Sequence, residues 1–106
     1  MMGHDIFISC AAPDEAFAKA LVQRLEADGC RCWHAPRDLG CGASRPRAVT
    51  RAIKQAPRML LVFSASANLS EELPVELALA SSGKCIIIPL RVDGAAPSAE
   101  LEHYLS

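Results

Sequence analysis

Hydrophobic residues fall into two rhythms along this chain: short runs that are apolar almost throughout, and longer stretches where they recur every three or four positions. The runs predict strands buried on both faces, and the spaced stretches predict amphipathic helices. Asp5-Ile-Phe-Ile-Ser9 is the first such strand, and Ala11 to Asp14 supplies a turn and an N-cap. Phe17, Leu21 and Leu25 then recur every four residues with Ala18 and Val22 beside them, while Lys19, Gln23, Arg24 and Glu26 take the opposite face. Gly29 is the expected C-terminal glycine of this helix.

Cys30 to Ala35 reads as a second strand, and Pro36 to Ser44 as a long loop too rich in glycine to be core. Ser44 is expected to cap a second helix, with Pro46 in its first turn, Val49 and Ile53 as a narrow apolar stripe, and Pro57 at its end. Arg58-Met-Leu-Leu-Val-Phe63 is apolar after its first residue and forms the third strand. Polar residues then begin abruptly at Ser64, at the strand's carboxyl end, where open α/β sheets bind ligands.

The third helix is expected to run to Ser81 or Ser82 and stop at Gly83. Leu73, Leu77 and Ala80 share one face and Val75 and Leu79 another, which predicts burial over most of its surface. A proline deep in a helix costs about 3 kcal/mol, so Pro74 belongs in the first turn. Glu76 then falls near the third helical position, where the helix dipole favours an ionised carboxylate. Cys85 to Val92 is a fourth strand closed by the turn Asp93 to Pro97, with Ser98 to Ser106 remaining. Pro89 removes one ladder donor and marks this strand as at or beside a sheet edge.

Strands alternating with helices through short links predict a parallel sheet with right-handed crossovers, in the doubly wound, flavodoxin-like α/β form. At 106 residues the chain is a single domain with one core. Lys and Arg total 11 against 12 Asp and Glu, and a net charge of −1 gives no basic face for nucleic acid. The longest apolar runs, Met59–Phe63 and Cys85–Leu90, fall far short of the roughly 20 residues of a membrane span. Met1 to Asp5 lacks the basic-then-apolar order of a signal peptide, so the expected location is the cytoplasm, with no membrane partner. Five cysteines are an odd number, and they read as reduced thiols rather than a disulfide framework. Cys30, Cys32 and His34 alternate onto one strand face, but a second ligand cluster at zinc spacing is missing; core packing is the better account, and no metal is expected.

An ordered set of motifs carries a family resemblance. Asp5-Ile-Phe-Ile-Ser9, Cys32-Trp-His-Ala-Pro-Arg37-Asp38 leading to Gly42, Val62-Phe-Ser64 with Asn68, Ser70 and Glu76, and Gly83-Lys84 leading to Ile86-Ile-Ile-Pro89 together resemble a bacterial TIR (Toll/interleukin-1 receptor) domain, from about residue 4 to residue 106. The resemblance implies the flavodoxin-like sheet with strand order 2-1-3-4, without the family's usual fifth strand and last helix. Either the chain is part of a longer protein or an assembly partner covers the apolar edge at Ile86 to Ile88. Many bacterial and plant members cleave NAD at the nicotinamide–ribose bond, in defence against phage or pathogens. Others only assemble, through the loop that corresponds here to Arg37–Arg47.

By this resemblance Glu76 is the catalytic residue, with NAD as substrate and no cofactor. Ser9, Cys10, Ala11 and Ala12 after the first strand, Trp33, Arg37 and Asp38 around the long loop, and Ser64, Asn68 and Glu72 complete the expected substrate-binding set. Leu39, Gly40, Gly42 and Arg45 are the expected assembly loop, which contacts a second copy or another TIR domain. Cys10 stands where the family often has an aromatic residue, and Glu72 where many NAD-cleaving members carry tryptophan, so two ring-stacking surfaces are lost. Two other functions compete: a non-catalytic TIR–TIR interaction module, and an enzyme like the nucleoside deoxyribosyltransferases, acting on free nucleosides. Without the resemblance, Glu76 reads as a first-turn carboxylate that complements the helix dipole, worth about 0.3–1 kcal/mol.

Overall fold

The computed structural model describes residues 5–34 and 45–105, with backbone alone at 45 and 46. Strands β1 (Ile6–Ser9), β2 (Cys32–Trp33), β3 (Arg58–Phe63) and β4 (Ile86–Arg91) form a parallel sheet in the order β2-β1-β3-β4. Helices α1 (Glu15–Ala27), α2 (Arg45–Gln55), α3 (Glu72–Ser82) and α4 (Ala99–Leu105) alternate with them. Short 3-10 turns at Ala12–Asp14 and Ala65–Leu69 follow β1 and β3. This is the flavodoxin-like arrangement expected from the strand–helix alternation.

Strand alternation divides the core into two layers. Phe7, Trp33, Met59, Leu61 and Phe63 face one side, where α2 brings Val49 and Ile53, α3 brings Leu73 and Leu77, and α4 brings Leu101. Ile8, Cys32 and Val62 face the other, against Ala18 and Val22 of α1. Each large apolar side chain buried in this way contributes about 1.5–3 kcal/mol. The small Ala18 and Val22 let α1 lie close to the sheet, and Phe17, expected on the buried face, stands 44% exposed beside them. Val75 is likewise 60% exposed, so α3 buries one face rather than most of its surface.

Helix ends explain the remaining boundaries. Gly29 adopts φ +94°, and the Cys30 and Gly29 amides return to the carbonyls of Leu25 and Glu26 at 3.0 and 3.1 Å, a Schellman closure. That closure delays pairing, so β2 begins at Cys32 rather than Cys30. Asp14 precedes α1 but makes no side-chain cap, because its carboxylate is engaged elsewhere. Ser70 accepts the amides of Glu72 and Leu73 at 3.3 Å each and closes the start of α3. Pro74 does lie in the first turn, but Glu76 is the fifth residue of α3 rather than the third, beyond the strongest field of the helix terminus. The expected cap Ser44 lies outside the described residues.

Among the described strands, β4 is at an edge, as Pro89 led us to expect. The amides of Ile86 and Val92 donate to the carbonyls of Pro57 and Phe63, both at 3.0 Å. Alternation therefore turns the nitrogen of Pro89, in register with Leu61, away from β3. The proline costs the ladder nothing and removes a donor from the open edge. Ile86 and Ile88, on the α1 side of the sheet, remain 61% and 39% exposed because α1 does not extend over β4.

Candidate functional site

The carboxyl ends of β1, β2 and β3 gather the polar side chains that the apolar runs exclude. Ser9, at the end of β1, is buried and donates its hydroxyl to Glu76 Oε1 at 2.8 Å. This bond ties the sheet to α3 and orients a carboxylate that is only 8% exposed. A buried carboxylate needs such donors, because an unpaired one would carry a large desolvation cost. Glu76 also lines a cleft of about 220 Å³ formed by Val49 and Thr50 of α2 with Glu71, Glu72, Val75 and Leu79.

Cys10 and His34 lie next to this pair. The Cys10 thiol is 3.9 Å from His34 Nε2, and His34 is buried at the end of β2. Burial, with the negative charges of Glu15, Asp14 and Glu76 adding to it, pushes the Cys10 thiol up to about 12. Cys10 is therefore a neutral thiol at physiological pH and not a nucleophile. Core packing is the reading the sequence supports for His34, and its contact with Cys10 could be found only from the pairing of β1 with β2.

The turn after β3 is pinned from both sides. The Ser64 hydroxyl donates to the Asp14 carboxylate, joining the two 3-10 turns, and Ser64 Oγ also accepts the Ala67 amide at 3.3 Å. Asn68 is committed to the backbone: its Nδ2 donates to the Ala96 carbonyl at 2.9 Å and its Oδ1 accepts the Ser98 amide at 2.8 Å. Asp93 accepts the amides of Ala65 and Ala95 at 3.0 and 2.9 Å, which hold its carboxyl below the ordinary range.

The other expected residues divide. Trp33 is buried and stacks on Phe7, with ring centroids 5.2 Å apart and planes at 12°, in the core under α2. Ala11 is buried in the same layer, Ala12 is exposed at the start of the first 3-10 turn, and Glu72 is exposed at the cleft. Arg37, Asp38, Leu39, Gly40 and Gly42 lie outside the described residues, and Arg45 opens α2. Among the described residues no three His, Cys, Asp or Glu side chains are close enough together to hold a metal ion. What the arrangement offers chemically is one oriented, largely buried carboxylate beside a cleft. Such a group stabilises positive charge that develops within reach of it.

Comparison with known proteins bears on both fold and site. The sequence profile of the family described as TIR domain matches residues 6–106. The TIR domain of the Toll-related receptor TRR-2 from Hydra magnipapillata is similar in structure, with a TM-score of 0.84 at 24% identity over 94% of this chain and 79% of that one. The TIR domains of the activated Roq1 resistosome, which recognises the pathogen effector XopQ, give 0.75 at 22% identity over 84% and 57%. A metazoan TIR-STING receptor from C. gigas gives 0.79 at 24% identity, covering 95% of this chain and 36% of the receptor. No curated protein sequence matches the chain at a significant level.

Proposed function

The chain belongs to the TIR-domain family, and from that premise we propose that it cleaves NAD at the nicotinamide–ribose bond, as a glycohydrolase or ADP-ribose cyclase active when self-assembled. The observation that carries this reading is the Ser9–Glu76 bond, which fixes a carboxylate at the ligand-binding end of the sheet. The bond between the ribose anomeric carbon and nicotinamide breaks with its electron pair going to the pyridinium nitrogen, which becomes neutral. No proton donor is needed for that departure. Glu76 offsets the positive charge left on the ribose, and water bonds to the anomeric carbon and releases one proton to solvent, or a nucleophile within the ADP-ribose itself takes that carbon instead. A single carboxylate serves here, unlike the pair used by most O-glycoside hydrolases.

Self-association as the working state is supported by the TIR domains of the activated resistosome. Bacterial origin and a role in anti-phage defence or immune-type signalling rest on the motifs from Asp5 to Pro89. A cytoplasmic location is part of this proposal; no helix among the described residues is long and apolar enough to cross a membrane. A non-catalytic interaction module is the second reading, favoured by the low exposure of Glu76 and by Glu72 standing at the cleft in place of a ring. Nicotinamide release from NAD by concentrated protein separates them. Release supports catalysis, silence in assembled protein supports the module, and turnover of free nucleosides without NAD cleavage would support a deoxyribosyltransferase-like enzyme.

A further inference from the structure

The cleft beside Glu76 has room and charge for only one end of a dinucleotide. Its volume of about 220 Å³ lies below the roughly 300–1,000 Å³ of pockets that enclose most of a small-molecule ligand. Its charged lining residues are Glu71, Glu72 and Glu76, set among Val49, Val75 and Leu79. These carboxylates attract the pyridinium of NAD and repel its diphosphate. The diphosphate therefore needs a cationic surface next to the cleft.

Helix α2 supplies one. Thr50, which lines the cleft, also lines a shallow surface with Arg47, Arg51, Lys54 and Gln55. All three cations are exposed, and none has an ionic partner among the described residues, where the ion pairs are Arg24–Asp28 and Arg31–Asp5. Arg47 and Arg51 are four positions apart on the helix, a spacing that sets Cβ atoms about 5–6 Å from each other. Two guanidinium forks so spaced can each take one phosphoryl group of a diphosphate. Val49 and Ile53 hold the inner face of α2 in the core, so the cations are presented on a firmly seated helix.

We propose that Arg47 and Arg51 bind the diphosphate of NAD, across Thr50 from the carboxylates that receive its nicotinamide riboside end. The contact rests on the NAD-cleaving reading and assigns to α2 the preference of that same cleft for a dinucleotide over a free nucleoside. Lys54 extends the cationic surface beyond the two arginines.

Calorimetric titration of the concentrated full chain with ADP-ribose tests this without cleavage. Wild type should bind, with an affinity that falls as salt rises, and Arg47→Ala/Arg51→Ala should bind at least about tenfold more weakly. Alanine is the best helix former, so the variant keeps α2. Arg47→Lys/Arg51→Lys retains the charge without the fork and should recover part of the loss. Arg51 lies outside the expected assembly loop Arg37–Arg47, so Arg51→Ala alone should also weaken binding, whatever Arg47 contributes to assembly. Lys19→Ala, which removes an exposed cation from α1 on the other side of the sheet, should bind like wild type. In nicotinamide release, the kcat/KM preference for NAD over nicotinamide riboside should fall at least about tenfold in Arg47→Ala/Arg51→Ala. A wild type that does not bind ADP-ribose, an Arg47→Ala/Arg51→Ala variant that binds it normally, or an unchanged preference overturns the proposal. ADP-ribose binding through the two arginines in a chain that releases no nicotinamide would overturn catalysis and leave this contact standing.

Discussion

Ser9 Oγ donates to Glu76 Oε1 at 2.8 Å across 67 positions of sequence, and both residues are buried. The bond predicts a thermodynamic coupling. Ser9→Ala should destabilise the fold by about 1–3 kcal/mol, the cost of removing one donor from a buried acceptor. In a Glu76→Ala background the same change should cost markedly less, since the acceptor is gone. Urea denaturation of the four proteins checks this, and equal costs in both backgrounds would show that the two residues are independent.

Cys10 carries a pH signature. Its thiol titrates near 12 in the folded chain, against an ordinary value of 9.0, so the folded state holds a proton that the unfolded state has lost between those limits. The corresponding stability is fully present below pH 9.0 and disappears as pH rises toward 12. Alkylation of Cys10 by iodoacetamide, followed by peptide mass spectrometry, should be slow at pH 8 in folded protein and fast in denaturant. Rapid labelling of folded protein at that pH would mean an accessible thiolate.

Asn68 makes two backbone bonds to the segment before α4. Asn68→Ala should cost roughly 1–2 kcal/mol and accelerate hydrogen exchange at the Ser98 amide. Asn68→Asp retains the acceptor for Ser98 and loses the donor to Ala96, so it should restore protection at Ser98 in part. Unchanged exchange in Asn68→Ala would remove Asn68 from the role of pinning that segment.

Pro89 faces its nitrogen outward from β4. Pro89→Val should therefore change stability by less than about 1 kcal/mol while giving the edge one more donor. Light scattering should show increased association of the variant. A large loss of stability would contradict the assigned direction of the strand.

The four strands and the helix that carries Glu76 were legible from apolar runs and from the placement of Pro74, because both report on local burial and backbone geometry; the order of the strands came from the family resemblance. Phe17 and Val75 misled because periodicity counts positions and cannot tell how wide a covering element is; α1 is seated by Ala18 and Val22, and the ring of Phe17 lies past the contact. The Ser9–Glu76 and Asp14–Ser64 bonds join residues 67 and 50 positions apart, and no local pattern encodes such a meeting. Trp33 was given a substrate contact only by the family resemblance, and its place on a strand by itself suggested core; alternation along β2 stacks it on Phe7.

Nicotinamide release by assembled Glu76→Gln tests the central claim most directly, since glutamine keeps the size and the acceptor oxygen for Ser9 but removes the charge. The account predicts measurable release by wild type and a loss of at least about 100-fold in the variant, with unfolding and self-association unchanged. Wild-type release that Glu76→Gln retains in full would contradict it.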